Sequence, residues 1–429
     1  MKQSQDSIHI DSYYAASAHA LEALPQLAGD HQTDVCVIGG GFTGLSAALH
    51  LAERGYQVTL LEAEKISWGA SGRNGGHVGV GQRVGQDVLE DKVGKELARA
   101  YWDMSVEAVQ TVKDLIQKHD IDCDLKDGAV HVSHRASDAD EYRQEAEHLR
   151  NHYGYNHIRF MDCDETRQQV GSENYHCGTF DEFSCHLHPL NYALGLAKAA
   201  IKAGVKIYEN SRVNEYTKSA KPVVKTDHGQ VTCDYVILGC NGYLGKLEPK
   251  LAGKIMPINN FVLATEPLSE DLCRELIHSD TSVSDALFVI NYWKLSGDNR
   301  LLFGGGENYT SRFPRDMKSF VRKYMLRVYP QLANAQIDYA WGGTLAITLN
   351  RMPHFGRLES NVFYAQGYSG HGVPTATMAG KLLAEAVAGT AERFDIMADY
   401  PTHTFPGGTL LRWPGLVAGM LYYSLRDKF

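Results

Sequence analysis

The sequence predicts an α/β fold in which a Rossmann-like dinucleotide-binding domain is interleaved with a mixed α+β domain. Three observations carry this expectation. A strand, a glycine turn, a helix and a second strand follow one another within residues 34–64. Two further strand-and-glycine segments stand far downstream, at 233–245 and 361–389. The stretches between them follow another pattern, first charged with helical periodicity, then a mixture of strands and a helix.

The N-terminal unit reads "VIGGGFTGLSAALHLAERGYQVTLLEAE", Val37 to Glu64. Asp34-Val-Cys-Val-Ile-Gly is a short, β-branched and apolar strand. Gly39, Gly41 and Gly44 follow in GxGxxG spacing, with Phe42 and Thr43 opening the helix between them. The first glycine permits a tight turn, the second lets backbone approach a pyrophosphate, and the third lets the helix pack closely on the strand. Leu45, Ala48, Leu49 and Ala52 form one apolar helix face, and Gly55 closes the helix. The second strand, from Gln57, ends at Glu62 and Ala63. The Glu62 carboxylate can accept the hydroxyls of an adenosine ribose, and the helix N-terminus suits the pyrophosphate. A glutamate here rather than an arginine disfavours a 2′-phosphate and leaves NAD and FAD open.

The rest of the chain extends this picture. "SWGASGRNGGH", Ser67 to His77, is a glycine-rich loop with one fixed cation, Arg73, where a plain NAD domain continues into a helix. Two or three strands lie in residues 204–238, with a hairpin-like turn at Asp227-His228-Gly229. In 361–389 a strand and a glycine turn lead into a helix whose apolar face is Met378, Leu382, Leu383, Ala386 and Val387. The N-terminus of that helix, around Gly370 to Thr375, directs N–H groups at something electron-rich. The dinucleotide domain is therefore expected over 1–84, 181–254 and 335–429, and a substrate domain over 85–180 and 255–334.

The formal net charge of −9 argues against a nucleic-acid partner. No run of 18 apolar residues predicts a spanning helix, and the polar N-terminus predicts no signal peptide. Eight scattered cysteines without a CxxC pair point to a reduced, cytoplasmic protein without a metal site.

Taken together with "SYYAASA", "GASGRNGGH", "HLHPLNYALGLAKAA", "RLLFGGG", "ERFDIMADYPTHTFPGG" and the C-terminal "LRWPGLVAGMLYYSLRDKF", the sequence resembles the D-amino-acid oxidase / glycine oxidase family of FAD-dependent amine oxidoreductases, nearly end to end. The resemblance implies a glutathione-reductase-like FAD domain. Its adenosine end would rest on Gly39, Gly41, Gly44 and Glu62, and Val213 would meet the adenine through its backbone. Ser71, Arg73, Asn74, Gly75 and Gly76 would line the pyrophosphate and flavin, Asn241 and Gly242 would join the cofactor set, and Gly370, His371, Gly372 and Val373 would sit by the isoalloxazine. Some relatives attach FAD through a cysteine in the stretch matching "WGGTLAITLNRMP", which has none here, or through a histidine from which His77 is displaced, so non-covalent FAD is implied. Some carry a lysine that helps O2 react at a position that here reads Leu302. The motifs most resemble members that oxidise the free primary amine of a gamma-glutamylated diamine to an aldehyde and ammonia, in putrescine breakdown, with O2 or another electron acceptor. Glycine, sarcosine or a D-amino acid is the alternative substrate.

Several side chains are candidates for the chemistry. Tyr292, Trp293 and Trp341 could wall the pocket over the flavin. His371, between two glycines at a helix start, could contact flavin or substrate, and Arg351 could clamp a substrate carboxylate. The C-terminal segment from Pro414 is expected to be a helix packed on the core, with a short membrane-surface helix as the alternative.

Overall fold

The computed structural model describes residues 8–287, 289–308 and 312–412. At its centre is the strand Val35–Ile38, all four residues buried. A strand covered on both faces in a parallel sheet reads as an unbroken apolar run, and this one does. It lies inside a six-stranded sheet ordered His354–Glu359, Val362–Gln366, Tyr235–Leu238, Val35–Ile38, Val58–Leu61 and Lys206–Tyr208. All pairings are parallel except that of the outer strand His354–Glu359.

Helix Phe42–Ala52 packs against helices Pro189–Lys202 and Gly372–Val387. The crossing with Gly372–Val387 is backbone on backbone. A Cβ at Gly380 would stand 2.5 Å from the Ala47 nitrogen and 2.6 Å from the Thr43 oxygen. The apolar face expected on the second of these helices is buried at all five positions.

A second, nine-stranded sheet runs Ile337–Ile347, Met256–Thr265, Leu301–Asn308, Tyr292–Leu295, Ser282–Asp285, Lys126–Ser133, Cys177–His186 and His77–Val78, with Ile158–Met161 also paired to Cys177–His186. Only Ser282–Asp285 and Lys126–Ser133 pair in parallel. Side-chain alternation gives this sheet two different faces. Val262, Ala264, Leu302 and Trp341 join the core shared with the six-stranded sheet, whereas Phe261, Trp293, Leu295 and Phe303 join a separate core beneath helix Met317–Val328. A small sheet of Gly29–Gln32, Gly229–Thr232, Val223–Lys225 and Glu215–Tyr216 includes the hairpin expected around His228.

Three features depart from the sequence reading. Residues 85–180, read as helical, also hold the strands Lys126–Ser133 and Ile158–Met161 and the start of Cys177–His186. The first of these pairs with Ser282–Asp285, about 150 residues away, which no local periodicity announces. His77–Val78 and Ile337–Ile347 fall inside the ranges 1–84 and 335–429 drawn for the dinucleotide domain, yet pair in the nine-stranded sheet. The helix expected from Pro414 onward lies outside the described residues.

Two predictions come from the packing. Gly380→Ala gains about 1 kcal/mol of intrinsic helix preference, but the overpacked crossing costs about 1–3 kcal/mol. The expected result is a lower urea midpoint; a raised one would mean that the two helices part freely. The second concerns acid. His50, His186, His188 and His354 are all buried. Burial lowers His50 to about 4, His188 and His354 to about 3, and His186 well below its ordinary value. Below about pH 6.5 the unfolded chain binds protons that these native imidazoles refuse, so stability falls as pH falls. The expected loss is about 1.4 kcal/mol per group per pH unit, down to each native pKa. Urea midpoints at pH 7.5 and 5.5 test this, and equal midpoints would show that the fold tolerates the charged forms.

Candidate active site

The turn after Val35–Ile38 closes only with glycine. Gly39 has φ +108°, and a Cβ there would lie 2.9 Å from the Gly239 carbonyl oxygen. A Cβ at Gly44 would overlap the Gly39 carbonyl oxygen. Helix Phe42–Ala52 starts at Gly41 with no side chain capping it, and the Phe42 N–H donates to Ser71 Oγ at 3.0 Å. Its positive end therefore faces the space beside the glycine turn.

Glu62 marks the far side of that turn. Its carboxylate accepts the Gly40 N–H at 2.6 Å and the Glu64 N–H at 2.9 Å. Burial pushes its pKa up, and the backbone N–H bonds oppose that shift. The Ser211 N–H donates to the Glu62 carbonyl at 2.8 Å and the Asn210 N–H to the Glu64 carbonyl at 3.0 Å. These bonds run the segment leading to Val213 alongside Glu62, Ala63 and Glu64. Val213 itself packs on the small core beneath the turn.

The loop that starts at Ser67 is held between the two sheets. Asn74 pins it internally, donating to the Ala70 and Ser71 carbonyls and accepting the Gly76 N–H at 2.8 Å. The Arg73 guanidinium lies 4.0 Å from the Trp68 ring centre and donates from Nη1 to the Gly342 carbonyl at 3.3 Å. Gly75 meets the face of Tyr292: a Cβ there would be 2.6 Å from the ring. His77 stands edge-on to Tyr292 with ring centres 5.5 Å apart.

The second helix end arrives from the opposite side. Helix Gly372–Val387 begins at His371, again with no side-chain cap. His371 Nε2 bonds the Gly79 carbonyl at 2.9 Å, which makes Nε2 the protonated nitrogen. Burial lowers its pKa to about 4, so the imidazole is neutral at pH 7. Thr43 Oγ1 and the Tyr368 hydroxyl, 2.6 Å apart, tie the two helix ends together. Gly370 has φ +93°, Val373 is buried behind it, and Asn241 Oδ1 accepts the Gly367 N–H at 2.9 Å. Gly242 lies against the Thr344 and Leu345 backbone.

The expected cofactor residues thus lie on the turn after Val35–Ile38, on the loop from Ser67 and at the start of helix Gly372–Val387. Two buried polar atoms on that loop, Arg73 Nη2 and His77 Nε2, have no protein partner. Buried polar groups without a protein partner, two helix N-termini and a glycine-lined loop fit an extended FAD. Among the described residues no His, Cys, Asp and Glu group could hold a metal ion.

The substrate-side candidates divide. Tyr292 faces the loop, and its hydroxyl bonds Asn260. A Cβ at Gly304 would overlap the Tyr292 ring, so that glycine makes room for it. Trp341 is fully buried and does not wall a pocket. Its indole N–H donates to the Arg73 carbonyl at 3.0 Å, bracing the loop from behind. Trp293 points to the other face of its strand, where it stacks on Tyr175 and Phe303 and donates to the Tyr329 hydroxyl at 2.9 Å. Strand alternation forces this, since Tyr292 and Trp293 are neighbours. Arg351 sits at φ +64° in the turn after Ile337–Ile347.

Sequence reasoning missed Lys294. It is buried two residues after Tyr292, on the same strand face, and its amine donates to the Leu187 carbonyl at 2.6 Å. Burial lowers its pKa to about 8. It pairs across the ladder with Leu302, the position at which a lysine was sought. A lysine in an otherwise apolar four-residue strand was the available signal.

Glu62→Gln removes the charged acceptor facing the ribose position. Hydrogen bonds to charged groups contribute about 1.5–3 kcal/mol, so FAD dissociation constants are expected to rise roughly ten- to a hundredfold. Flavin fluorescence during reconstitution reads this directly, and an unchanged constant would remove Glu62 from the cofactor site.

Comparison with known proteins agrees with this geometry. Residues 34–386 match the family described as "DAO: FAD dependent oxidoreductase". The chain is 43% identical to gamma-glutamylputrescine oxidoreductase of Escherichia coli over 98% of its own length and 99% of that protein. It is 40% identical to the probable oxidoreductase OrdL of Rhizobium meliloti, over 97% of each chain. Among solved structures, glycine oxidase from Geobacillus kaustophilus superposes with a TM-score of 0.72 at 19% identity, covering 85% of this chain and 97% of that one. The turn at Gly39, the loop through Arg73 and the helix end at His371 all fall within the matched range, and the chain belongs to the DAO family of FAD-dependent oxidoreductases.

Proposed function

We propose that this protein oxidises the free primary amine of a gamma-glutamylated diamine to an aldehyde and ammonia, in putrescine catabolism. The observation that carries this is the 43% identity to gamma-glutamylputrescine oxidoreductase over nearly the whole of both chains.

When bound, without a covalent bond, FAD would supply the acceptor for a hydride from the carbon that bears the amine. Gly39, Gly41, Phe42, Thr43, Gly44, Glu62, Ala63 and Val213 would hold its adenosine and pyrophosphate. Ser71, Arg73, Asn74, Gly75, Gly76, Asn241, Gly242, Gly370, His371, Gly372 and Val373 would hold the rest. Loss of hydride leaves an iminium carbon, and water then adds to release ammonia and the aldehyde. The amine must arrive neutral. Desolvation between Tyr292, His77 and His371 favours the uncharged form, and both imidazoles are kept neutral by burial, His77 near 3 and His371 near 4.

O2 is the acceptor we favour. Lys294 is a buried lysine paired across the ladder with Leu302, the position at which some members of the family carry a lysine that helps O2 react. The partner is a small amine rather than a nucleic acid, in keeping with the net charge of −9. Among the described residues no helix is long and apolar enough to cross a membrane. We place the reaction in the cytoplasm, because all eight cysteines are free thiols.

The test is a visible spectrum of the purified protein, recorded before and after anaerobic addition of gamma-glutamylputrescine. The expected result is loss of the flavin absorbance with that amine, and free flavin in the supernatant after acid precipitation. Bleaching by glycine, sarcosine or a D-amino acid but not by the glutamylated amine would overturn the substrate assignment. Colour remaining in the precipitate would overturn non-covalent binding.

A further inference from the structure

The "SYYAASA" segment stands ahead of the dinucleotide unit, which begins at Asp34. It forms one turn of helix, Tyr13–Ala16, and Ser12 Oγ accepts the Ala15 N–H at 3.1 Å. A helix of four residues is too short to persist alone. N-terminal residues stay ordered only where they are tied down. This arm is tied to the loop through Arg73, to the sheet behind that loop and to a helix beside it.

At the loop, the Trp68 indole N–H donates to the Ile8 carbonyl at 3.1 Å, and the Arg73 guanidinium rests on the Trp68 ring. At the sheet, residues 339, 341 and 343 share one face of the strand Ile337–Ile347. Tyr13 meets Tyr339 edge-on, with ring centres 6.2 Å apart, and Tyr14 meets Trp341 edge-on at 5.1 Å. A Cβ at Gly343 would lie 3.2 Å from the Arg73 Cβ. Arm and loop therefore lie side by side along one strand face. Trp341 touches both, because its indole N–H also holds the Arg73 carbonyl. The Tyr13 hydroxyl adds a bond to Asp298 Oδ1 at 2.7 Å. At the start of helix Pro189–Lys202, Ser17 Oγ and His188 Nε2 are 3.0 Å apart, and the His19 N–H donates to Asn191 Oδ1 at 2.8 Å. Tyr14 stands edge-on to His188 as well, at 4.8 Å.

Tyr14 is thus the residue on which the arm turns. It is fully buried, and its hydroxyl has no protein partner, so its ring makes the contacts. Edge-on aromatic pairs contribute beyond the area they cover.

We propose that residues 8–17 are a strap that retains FAD, with Tyr14 as its positioning residue. Tyr14 fixes Trp341, Trp341 fixes the Arg73 carbonyl, and FAD leaves only when the strap lifts. The strap acts on the cofactor, whichever amine is oxidised. Lifting it is a local opening that must come before release. Contacts of this kind show in the dissociation rate more than in the association rate.

The experiment compares wild type, Tyr14→Leu, Tyr14→Phe and Tyr13→Phe, each as the full chain loaded with FAD. Release is read as the rise in flavin fluorescence after dilution, and urea midpoints are taken with and without FAD. For Tyr14→Leu the expected result is FAD release faster by about fivefold, within what edge-on aromatic pairs are worth. The gap between the midpoints with and without FAD should narrow with it. Tyr14→Phe keeps the ring and should restore release to within about twofold of wild type. Tyr13→Phe gives up the bond to Asp298 and should also speed release. Wild-type release from Tyr14→Leu, with both midpoints lowered equally, would make Tyr14 an ordinary core residue and overturn the proposal. Release from Tyr14→Phe as fast as from Tyr14→Leu would overturn it too, since the hydroxyl rather than the ring would then act. If Tyr14→Leu does not fold, Tyr13→Phe decides, and wild-type release from it would overturn the strap.

Discussion

The close approach of backbone to backbone at two glycines is the constraint on which the site depends. Gly44 lets the first turn of helix Phe42–Ala52 sit on the Gly39 carbonyl, and Gly380 lets helix Gly372–Val387 cross the same helix without intervening side chains. Each contact places a helix N-terminus, and the Thr43–Tyr368 hydrogen bond joins the two. Any side chain would move the helices apart by roughly the size of a methyl group, and the two positive ends would no longer converge.

A second consequence is that the polar loop between the sheets must satisfy itself. Asn74 does so from within, Trp341 and the Gly342 carbonyl from behind, and Ser71 by accepting the Phe42 N–H. What stays unpaired, Arg73 Nη2 and His77 Nε2, lies where FAD is expected. Bound FAD would supply partners for these groups, so cofactor binding stabilises the fold as well as equips it. The neutral imidazoles of His77 and His371 reflect burial, which removes the water that would let them charge.

Much of the cofactor site was legible because dinucleotide binding is a local problem. Strand, glycine turn, helix and acid lie within about thirty residues, and the requirement at each step is steric or electrostatic and short in range. Gly39, Gly44 and Glu62 could be assigned roles from spacing alone. The Arg73 loop was legible by composition, since it concentrates glycines around one cation. The substrate side was not legible in this way. Trp293 and Tyr292 are adjacent aromatics of similar character, and only pairing within the sheet decides that one faces the loop through His77 and the other a separate core. Lys294 and Leu302 come from two strands and owe their pairing to register.

The sequence by itself determined the Rossmann-like unit, the cofactor class and the family, because these follow from short-range patterns and from motifs that run along the chain. It also held the signal for two interleaved layers of structure, through the return of strand-and-glycine segments after residues 233 and 361. Tertiary structure decided which strands build the second sheet, that Ile337–Ile347 belongs to it, and which side chains meet across it. The physical reason is the two-residue period of a β-strand. One step of register exchanges the two faces, and the partner that fixes the register lies tens to hundreds of residues away.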